Sequence, residues 1–184
     1  MKRTFDVVVA IAALPFAALA ILGCAIAIRL TSPGPAILRQ QRVGRYEQPF
    51  ICLKLRTMHA DTPQAPSHET SSRAITPVGH FLRRLKLDEL PQLVNIIKGE
   101  MSFVGPRPCL PTQTALVEAR RRYGLQAIRP GITGVAQVRG VDMSEPERLA
   151  ALDATYLEDM SIRADLKLML ATAFGAGRGD RVGS

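Results

Sequence analysis

Tryptophan is absent from the 184 residues, and all aromatics together make up only 5% of them. Proteins that stack bases interleave aromatic and basic side chains, so this shortage argues against a nucleic-acid partner despite a formal charge of +8. Cysteine is scarce as well. Cys24, Cys52 and Cys109 are odd in number and lack metal or redox spacing, which argues against a disulfide framework and favours a reducing compartment. His59, His68 and His80 form no ligand pattern. With 24 Lys and Arg against 16 Asp and Glu, the chain expects an anionic partner, and phospholipid headgroups or nucleotide phosphates fit best. Its length allows one real core and hardly two.

Charge is nearly missing from residues 5–28, where hydrocarbon takes over. Three readings are open. The basic start and the Ile21-Leu22-Gly23-Cys24 stretch resemble a lipoprotein signal, but the apolar run continues past Cys24 to Ile28. A straight transmembrane span is long enough, since about 24 residues at 1.5 Å each just cross the hydrocarbon. Two residues favour a third reading. Asp6 is costly at a bilayer centre and cheap at an interface, and Pro15 removes a hydrogen bond in mid-helix. Lys2 and Arg3 before the run and Arg29 after it make both ends cytoplasmic by the positive-inside rule. A re-entrant helix kinked at Pro15 satisfies every one of these observations.

Beyond it the chain reads as short pieces. Thr31-Ser32-Pro33-Gly34-Pro35 is a turn, followed by a basic patch of Gln40, Gln41, Arg42 and Gly44. Residues 50–57 alternate as a strand, with Lys54 and Arg56 on one face. Residues 61–77 carry no hydrophobic period and read as a loop, either a lid over a substrate or a tolerated insertion. Residues 129–140, RPGITGVAQVRG, offer Gly131, Thr133 and Gly134 as exposed backbone donors for a phosphate. Ser144 with Glu147 reads as a capping box opening a helix to Met160, and residues 162–174 as a helix striped by Leu166, Leu170 and Phe174.

The densest chemistry lies in 85–108, LKLDELPQLVNIIKGEMSFVGPRP. Two adjacent carboxylates, Asp88 and Glu89, can supply a nucleophile and a Mg²⁺ ligand, and an arginine held between prolines, Arg107, can grip a phosphate by its planar fork. Pro91 belongs in a helix first turn, which places the acidic pair at a helix N-terminus. A plain N-cap role for Asp88 fits that placement equally. The surrounding Arg83, Arg84, Lys86 and the Gly105-Pro106-Arg107-Pro108 corner are what a cap does not need.

These blocks, together with SPGPAILRQQRVG at 32–44, KLRTM at 54–58 and Asp165-Leu166-Lys167, are similar to the small monotopic phosphoglycosyl transferases, the bacterial sugar transferases that begin glycan assembly on a polyprenyl phosphate. The resemblance covers nearly the whole chain. It implies transfer of a phospho-sugar from a UDP-sugar to undecaprenyl phosphate with release of UMP, Asp88 and Glu89 being the catalytic dyad. By that resemblance Asp88 forms a covalent aspartyl phospho-sugar and Glu89 holds Mg²⁺. Lys54, Arg56, Arg83, Arg107, Arg129, Thr133 and Gln137 are the expected substrate- and phosphate-binding set. The departures, Val135 where an aromatic is common and Val141 where an Arg is, bear on sugar specificity rather than on the reaction. The absence of further membrane helices puts the chain in the family's minimal class.

The expected fold is mixed, mainly α with a few short strands, in a monotopic membrane protein. Residues 1–30 form the re-entrant helix kinked at Pro15, 31–174 a cytosolic or interfacial catalytic domain, and 175–184 a disordered tail. The expected place is the cytoplasmic face of a bacterial inner membrane, on anionic phospholipid, with a homo-oligomer left open. A membrane-tethered binder of nucleotide-sugars that does not turn them over is the competing function; it keeps the basic corners but has no use for the acidic pair.

Overall fold

In the computed structural model, which describes residues 1–63 and 71–176, one long helix lies along a small mixed body. Helix α1 (Lys2–Thr31) runs thirty residues, about 45 Å, and continues through Pro15. Small residues line its inward face: Ala10 and Ala17 are buried and Ala13 half-buried, which lets the backbone come close to Leu93 and Ile96 of α3 (Gln92–Lys98). Farther along, Ile21, Cys24, Ala25 and Ile28 join a second cluster with Leu55 and Leu82. Val8, Ile11, Phe16, Leu19, Leu22, Ile26 and Leu30 face outward, each more than half exposed.

Polar groups fasten both ends of α1 to the same body. Arg3 donates to the carbonyls of Ile96 and Ile97 at 2.6 and 3.0 Å at the end of α3, where the Gly99 amide also bonds the Ile96 carbonyl at 2.9 Å. Asp6, only 2% exposed, accepts from Ser102 Oγ at 2.9 Å and from the Phe103 amide at 3.4 Å. Lys2 reaches the buried Asp165 at 2.5 Å, and the Tyr156 hydroxyl donates to the other oxygen of that carboxylate. At the far end Arg56 donates to the carbonyl of Ser32 at 2.9 Å and to that of Pro33.

Two small sheets complete the body. Strands β1 (Ile37–Val43) and β2 (Pro49–Leu55) form an antiparallel hairpin registered from Ile37 opposite Leu55 to Val43 opposite Pro49. The expected strand is therefore present as β2, but the supposed basic patch is its partner. Asn95 of α3 closes the other edge of β2, accepting from the Leu53 amide at 3.1 Å and donating to the Ile51 carbonyl at 2.7 Å. Strands β3 (Ser102–Val104) and β4 (Gly131–Thr133) pair in parallel.

The glycines around β4 correct their expected role as phosphate donors. A Cβ on Gly131 would lie 2.2 Å from the Gly105 nitrogen and one on Gly134 2.4 Å from the Gly105 oxygen. They permit two backbones to touch, and the Gly131 amide is already bonded to the Pro106 carbonyl at 3.0 Å.

Helices α2 (Pro77–Arg84), α4 (Thr114–Arg122), α5 (Val135–Val138), α6 (Pro146–Ala154) and α7 (Ile162–Ala173) surround these sheets. No capping box forms at α6. Pro146 sets its first turn, the Ser144 hydroxyl bonds Asp142 at 2.5 Å instead, and a 3-10 turn over Thr155–Leu157 replaces the continuation to Met160. Along α7 and its C-cap the stripe of Leu166, Leu170 and Phe174 is exposed rather than facing the core. In the 61–77 loop, Ile75 bridges to Met58, while residues 64–70, the middle of the segment read as a lid or an insertion, lie outside the described residues, as does the tail from 177.

One of the contacts that seat helix α2, that of Gly79 with Thr57, has a weight that can be measured. A Cβ on Gly79 would meet the Thr57 carbonyl oxygen at 1.9 Å, whereas Gly124, at φ +72°, has open space around it. Gly79→Ala should therefore cost roughly 2–4 kcal/mol of stability. Gly124→Ala should cost about 1 kcal/mol, from backbone strain alone. Thermal unfolding in detergent micelles compares them, and equal losses would deny the Thr57 contact its weight.

Candidate active site

Helix α2 begins with Thr76, whose hydroxyl accepts from the Gly79 amide at 3.0 Å, and ends at Leu85. Lys86 then takes up a left-handed conformation, φ 56° and ψ 21°, which stops the helix and reverses the chain. A 3-10 turn over Leu87–Glu89 follows and leads through Leu90 and Pro91 into α3. The acidic pair thus occupies a tight turn between two helices rather than the start of a helix proper. Both carboxylates are 8% exposed. With about three residues per turn, adjacent side chains diverge by about 120°, so the two acids face different neighbours.

Glu89 Oε1 takes an ion pair from Arg107 Nη2 at 2.9 Å and another from Lys54 Nζ at 3.3 Å. Asp88 feels the positive charges of Lys54, Arg83 and Arg107, yet burial and the Glu89 charge outweigh them and push its carboxyl up to about 6. Arg83 is steadied by its Nε bond to Thr57 Oγ1 at 3.0 Å, while its buried Nη1 has no hydrogen-bond partner. Such a site holds a carboxylate that is ionised at neutral pH but poorly solvated, beside donors suited to a polyanion.

Of the residues expected from sequence, Lys54, Arg83 and Arg107 converge on Asp88 and Glu89. Thr133 comes near by another route: it lines a cavity of about 320 Å³ that also touches Glu89, and its hydroxyl pairs with that of Thr172 at 2.5 Å. Three are placed elsewhere. Arg56, expected beside Lys54, lies past the end of β2 and devotes its guanidinium to the carbonyls after α1. Arg129 donates to the Gly99 carbonyl at 2.8 Å, where burial and the charges of Arg45 and Arg3 depress its pKa. Gln137 donates to the Ile132 carbonyl at 3.2 Å and keeps a buried, unpartnered oxygen.

Sequence reading missed the apolar wall of the cavity, formed by Leu90, Leu93, Phe103, Ile132 and Met169. It also left Asp165 without a role. An acid on an otherwise apolar helix face was the available signal, because such a group needs a partner from a distant segment.

The profile of the family described as bacterial sugar transferase matches residues 1–178. A UDP-glucose:undecaprenyl-phosphate glucose-1-phosphate transferase of Caulobacter vibrioides is 43% identical over 185 residues, covering 93% of this chain and 67% of that protein. An undecaprenyl-phosphate glucose phosphotransferase of Komagataeibacter xylinus is 37% identical over 184 residues, covering 93% of this chain but only 35% of the relative. A UDP-N-acetylgalactosamine-undecaprenyl-phosphate N-acetylgalactosaminephosphotransferase of Aeromonas hydrophila is 32% identical over 189 residues, 96% of this chain and 45% of its own length. With the match spanning nearly every residue described above, the chain belongs to the bacterial sugar transferase family.

Proposed function

We propose that the protein moves a phospho-sugar from a UDP-sugar to undecaprenyl phosphate, releasing UMP, through a covalent intermediate on Asp88. The observation that carries this reading is the buried Asp88-Glu89 turn with Lys54, Arg83 and Arg107 around it. An Asp88 oxygen attacks the sugar-bearing phosphorus, and the bond from that phosphorus to the UMP oxygen breaks, UMP leaving with the electron pair. The phosphate oxygen of the lipid then attacks the same phosphorus and the aspartyl carboxylate departs, which gives the polyprenyl-diphospho-sugar. A carboxylate meets a diphosphate against repulsion of about 4 kcal/mol per unit-charge pair at ~4 Å near a protein surface. The three cations offset that repulsion, and Arg107 can grip a phosphate with two parallel donors.

The hard oxygen donors of Glu89 fit Mg²⁺, which commonly takes one or two carboxylates and completes its shell with water and substrate phosphate. Glu89 would hold it, and the ion would neutralise charge developing on the phosphates. The product enters glycan assembly, and the names of the relatives make UDP-glucose and UDP-N-acetylgalactosamine the first donors to try.

The same proposal sets the protein on the cytoplasmic face of a bacterial inner membrane, with α1 re-entrant. Lys2, Arg3 and Asp6 at its start and the Arg56-bound carbonyls at its end all join one body, and the outward face between them is apolar. A straight crossing would put one of these polar attachments on the far side. Pro15 denies the Ile11 carbonyl its helical partner, which makes it the point at which the helix can bend in the bilayer.

Three outcomes follow. Single cysteines placed near Lys2 and near Ser32 in a cysteine-free background should both resist a membrane-impermeant thiol reagent in intact cells; labelling of one end alone would establish a straight span. EDTA should stop UMP release and Mg²⁺ restore it, whereas full turnover in chelator removes Glu89 from its metal-holding role.

The third outcome concerns Asp88. Wild-type protein given a UDP-sugar without lipid should release about one equivalent of UMP and gain a phospho-sugar on the Asp88 peptide. Because the attacking group must be ionised, that step should speed up as pH rises through about 6. Stability should run the other way. The folded carboxyl keeps its proton up to about 6 and the unfolded one only to 3.8, so stability present below that lower value is lost as pH rises through the upper one. Asp88→Asn should accordingly release no UMP yet unfold at a higher temperature than wild type at pH 8. Normal turnover by this variant, or an adduct on another residue, would overturn the covalent assignment.

A further inference from the structure

The cavity next to Glu89 is walled by Leu90 and Leu93 from the dyad's side, Phe103 and Ile132 from the small parallel sheet, and Met169 from α7. At about 320 Å³ it lies near the bottom of the ~300–1,000 Å³ range of ligand pockets, so it suits part of a substrate rather than a whole nucleotide-sugar. Its hydroxyls and its lysine are already engaged with protein. The hydroxyls of Thr133 and Thr172 satisfy each other at 2.5 Å, and Lys86 Nζ donates to the Ala176 carbonyl at 3.2 Å, which ties the end of α7 to the residue just before the dyad turn. A sugar or a uracil placed here would give up its bonds to water and receive few in return.

One wall continues into the apolar exterior. Leu85 lines the cavity and is 49% exposed, and the next stripe around α7 carries Leu170 at 56% and Phe174 at 85%. The charged groups that border the cavity, Glu89 with Arg84 and Lys86, belong to the segment that carries the dyad. A ligand with an anionic head and a hydrocarbon tail can therefore keep its head with the cations Arg84 and Lys86 while its tail stays among apolar side chains. Met169 adds an unbranched, adaptable surface and Phe103 a flat one, which together accommodate a branched alkene.

Resting on the transfer proposed above, we infer that this cavity seats the first isoprene units of the acceptor's tail, so that its walls determine recognition of the lipid and leave recognition of the nucleotide-sugar alone. Hydrocarbon drawn from the membrane side then fixes where the acceptor phosphate stands relative to the aspartyl phospho-sugar.

Met169→Trp and Ala173→Phe, which fill the cavity, test this with UDP-glucose, or UDP-N-acetylgalactosamine where that is the donor turned over, and undecaprenyl phosphate in detergent micelles. The KM for the lipid should rise at least tenfold, while the KM for the donor and the one-equivalent UMP burst without lipid stay within twofold of wild type. In a variant that keeps the wild-type thermal transition, a lost burst or a raised donor KM would give the cavity to the nucleotide-sugar. An unchanged lipid KM would leave it no part in lipid recognition. Should both variants misfold, wild-type protein is photolabelled with a polyprenyl phosphate carrying a diazirine on its second isoprene unit. Label on the peptides containing Leu90 or Met169 supports the assignment, and label confined to α1 overturns it. Failure of the transfer reading itself looks different, since wild-type protein would then release no UMP with any donor.

Discussion

Two like charges buried side by side dominate this molecule. Asp88 and Glu89 are each 8% exposed, a burial that is costly for charge unless cations are brought from other segments. Lys54 comes from β2, Arg83 from α2 and Arg107 from the corner after β3, so the hairpin, the helix and the parallel strand pair must all be in place before the turn is tolerable. Compensation is incomplete at Asp88, whose carboxyl remains above its ordinary value. That residual cost suits the nucleophilic role proposed for Asp88, since a fully solvated and fully paired carboxylate would have little reason to attack phosphorus.

The membrane element and the body follow the same logic of charge seeking a partner. Asp6, Lys2 and Arg3 sit in the first turns of an apolar helix, and each reaches a separate segment: β3, α7 and the end of α3. Because α3 also carries Asn95, which closes the edge of β2, the position of α1 is linked to the strand bearing Lys54 through one short helix. The apolar helix is thus a structural member of the site's own support and not a separate tether.

What was legible in the sequence was chemistry that stands out locally. An Asp next to a Glu, an Arg between prolines and an Asp in an apolar run are each improbable without a reason, and all three proved to be placed together or partnered. What was not legible depended on a distant partner. The RPGITG stretch has the glycines a phosphate loop would have, and only the approach of Gly105 shows that they serve backbone contact. Lys54 and Arg56 share a strand face by spacing, but the strand stops at Leu55 and the SPGP corner claims the arginine. The β1 segment, ILRQQRV, has no clean alternation, so its strand character comes from pairing with β2 rather than from its own pattern.

The 3-10 geometry of Leu87–Glu89 also gives the two halves of the site different solvents. Asp88 shares its surroundings with Arg83 and Thr57, a polar quarter suited to a diphosphate. Glu89, turned by about 120°, meets Arg107 and Lys54 on one side and the cavity walled by Phe103 and Met169 on the other. An α-helical continuation would have set the pair about 100° apart instead. Lys86 in its left-handed conformation prevents that, and its ammonium group holds the end of α7 against the same turn. Under the proposed transfer, a water-soluble anionic donor and a hydrocarbon-tailed acceptor need opposite surroundings close to one phosphorus, and a single strained lysine before two acids is the device that would set them side by side.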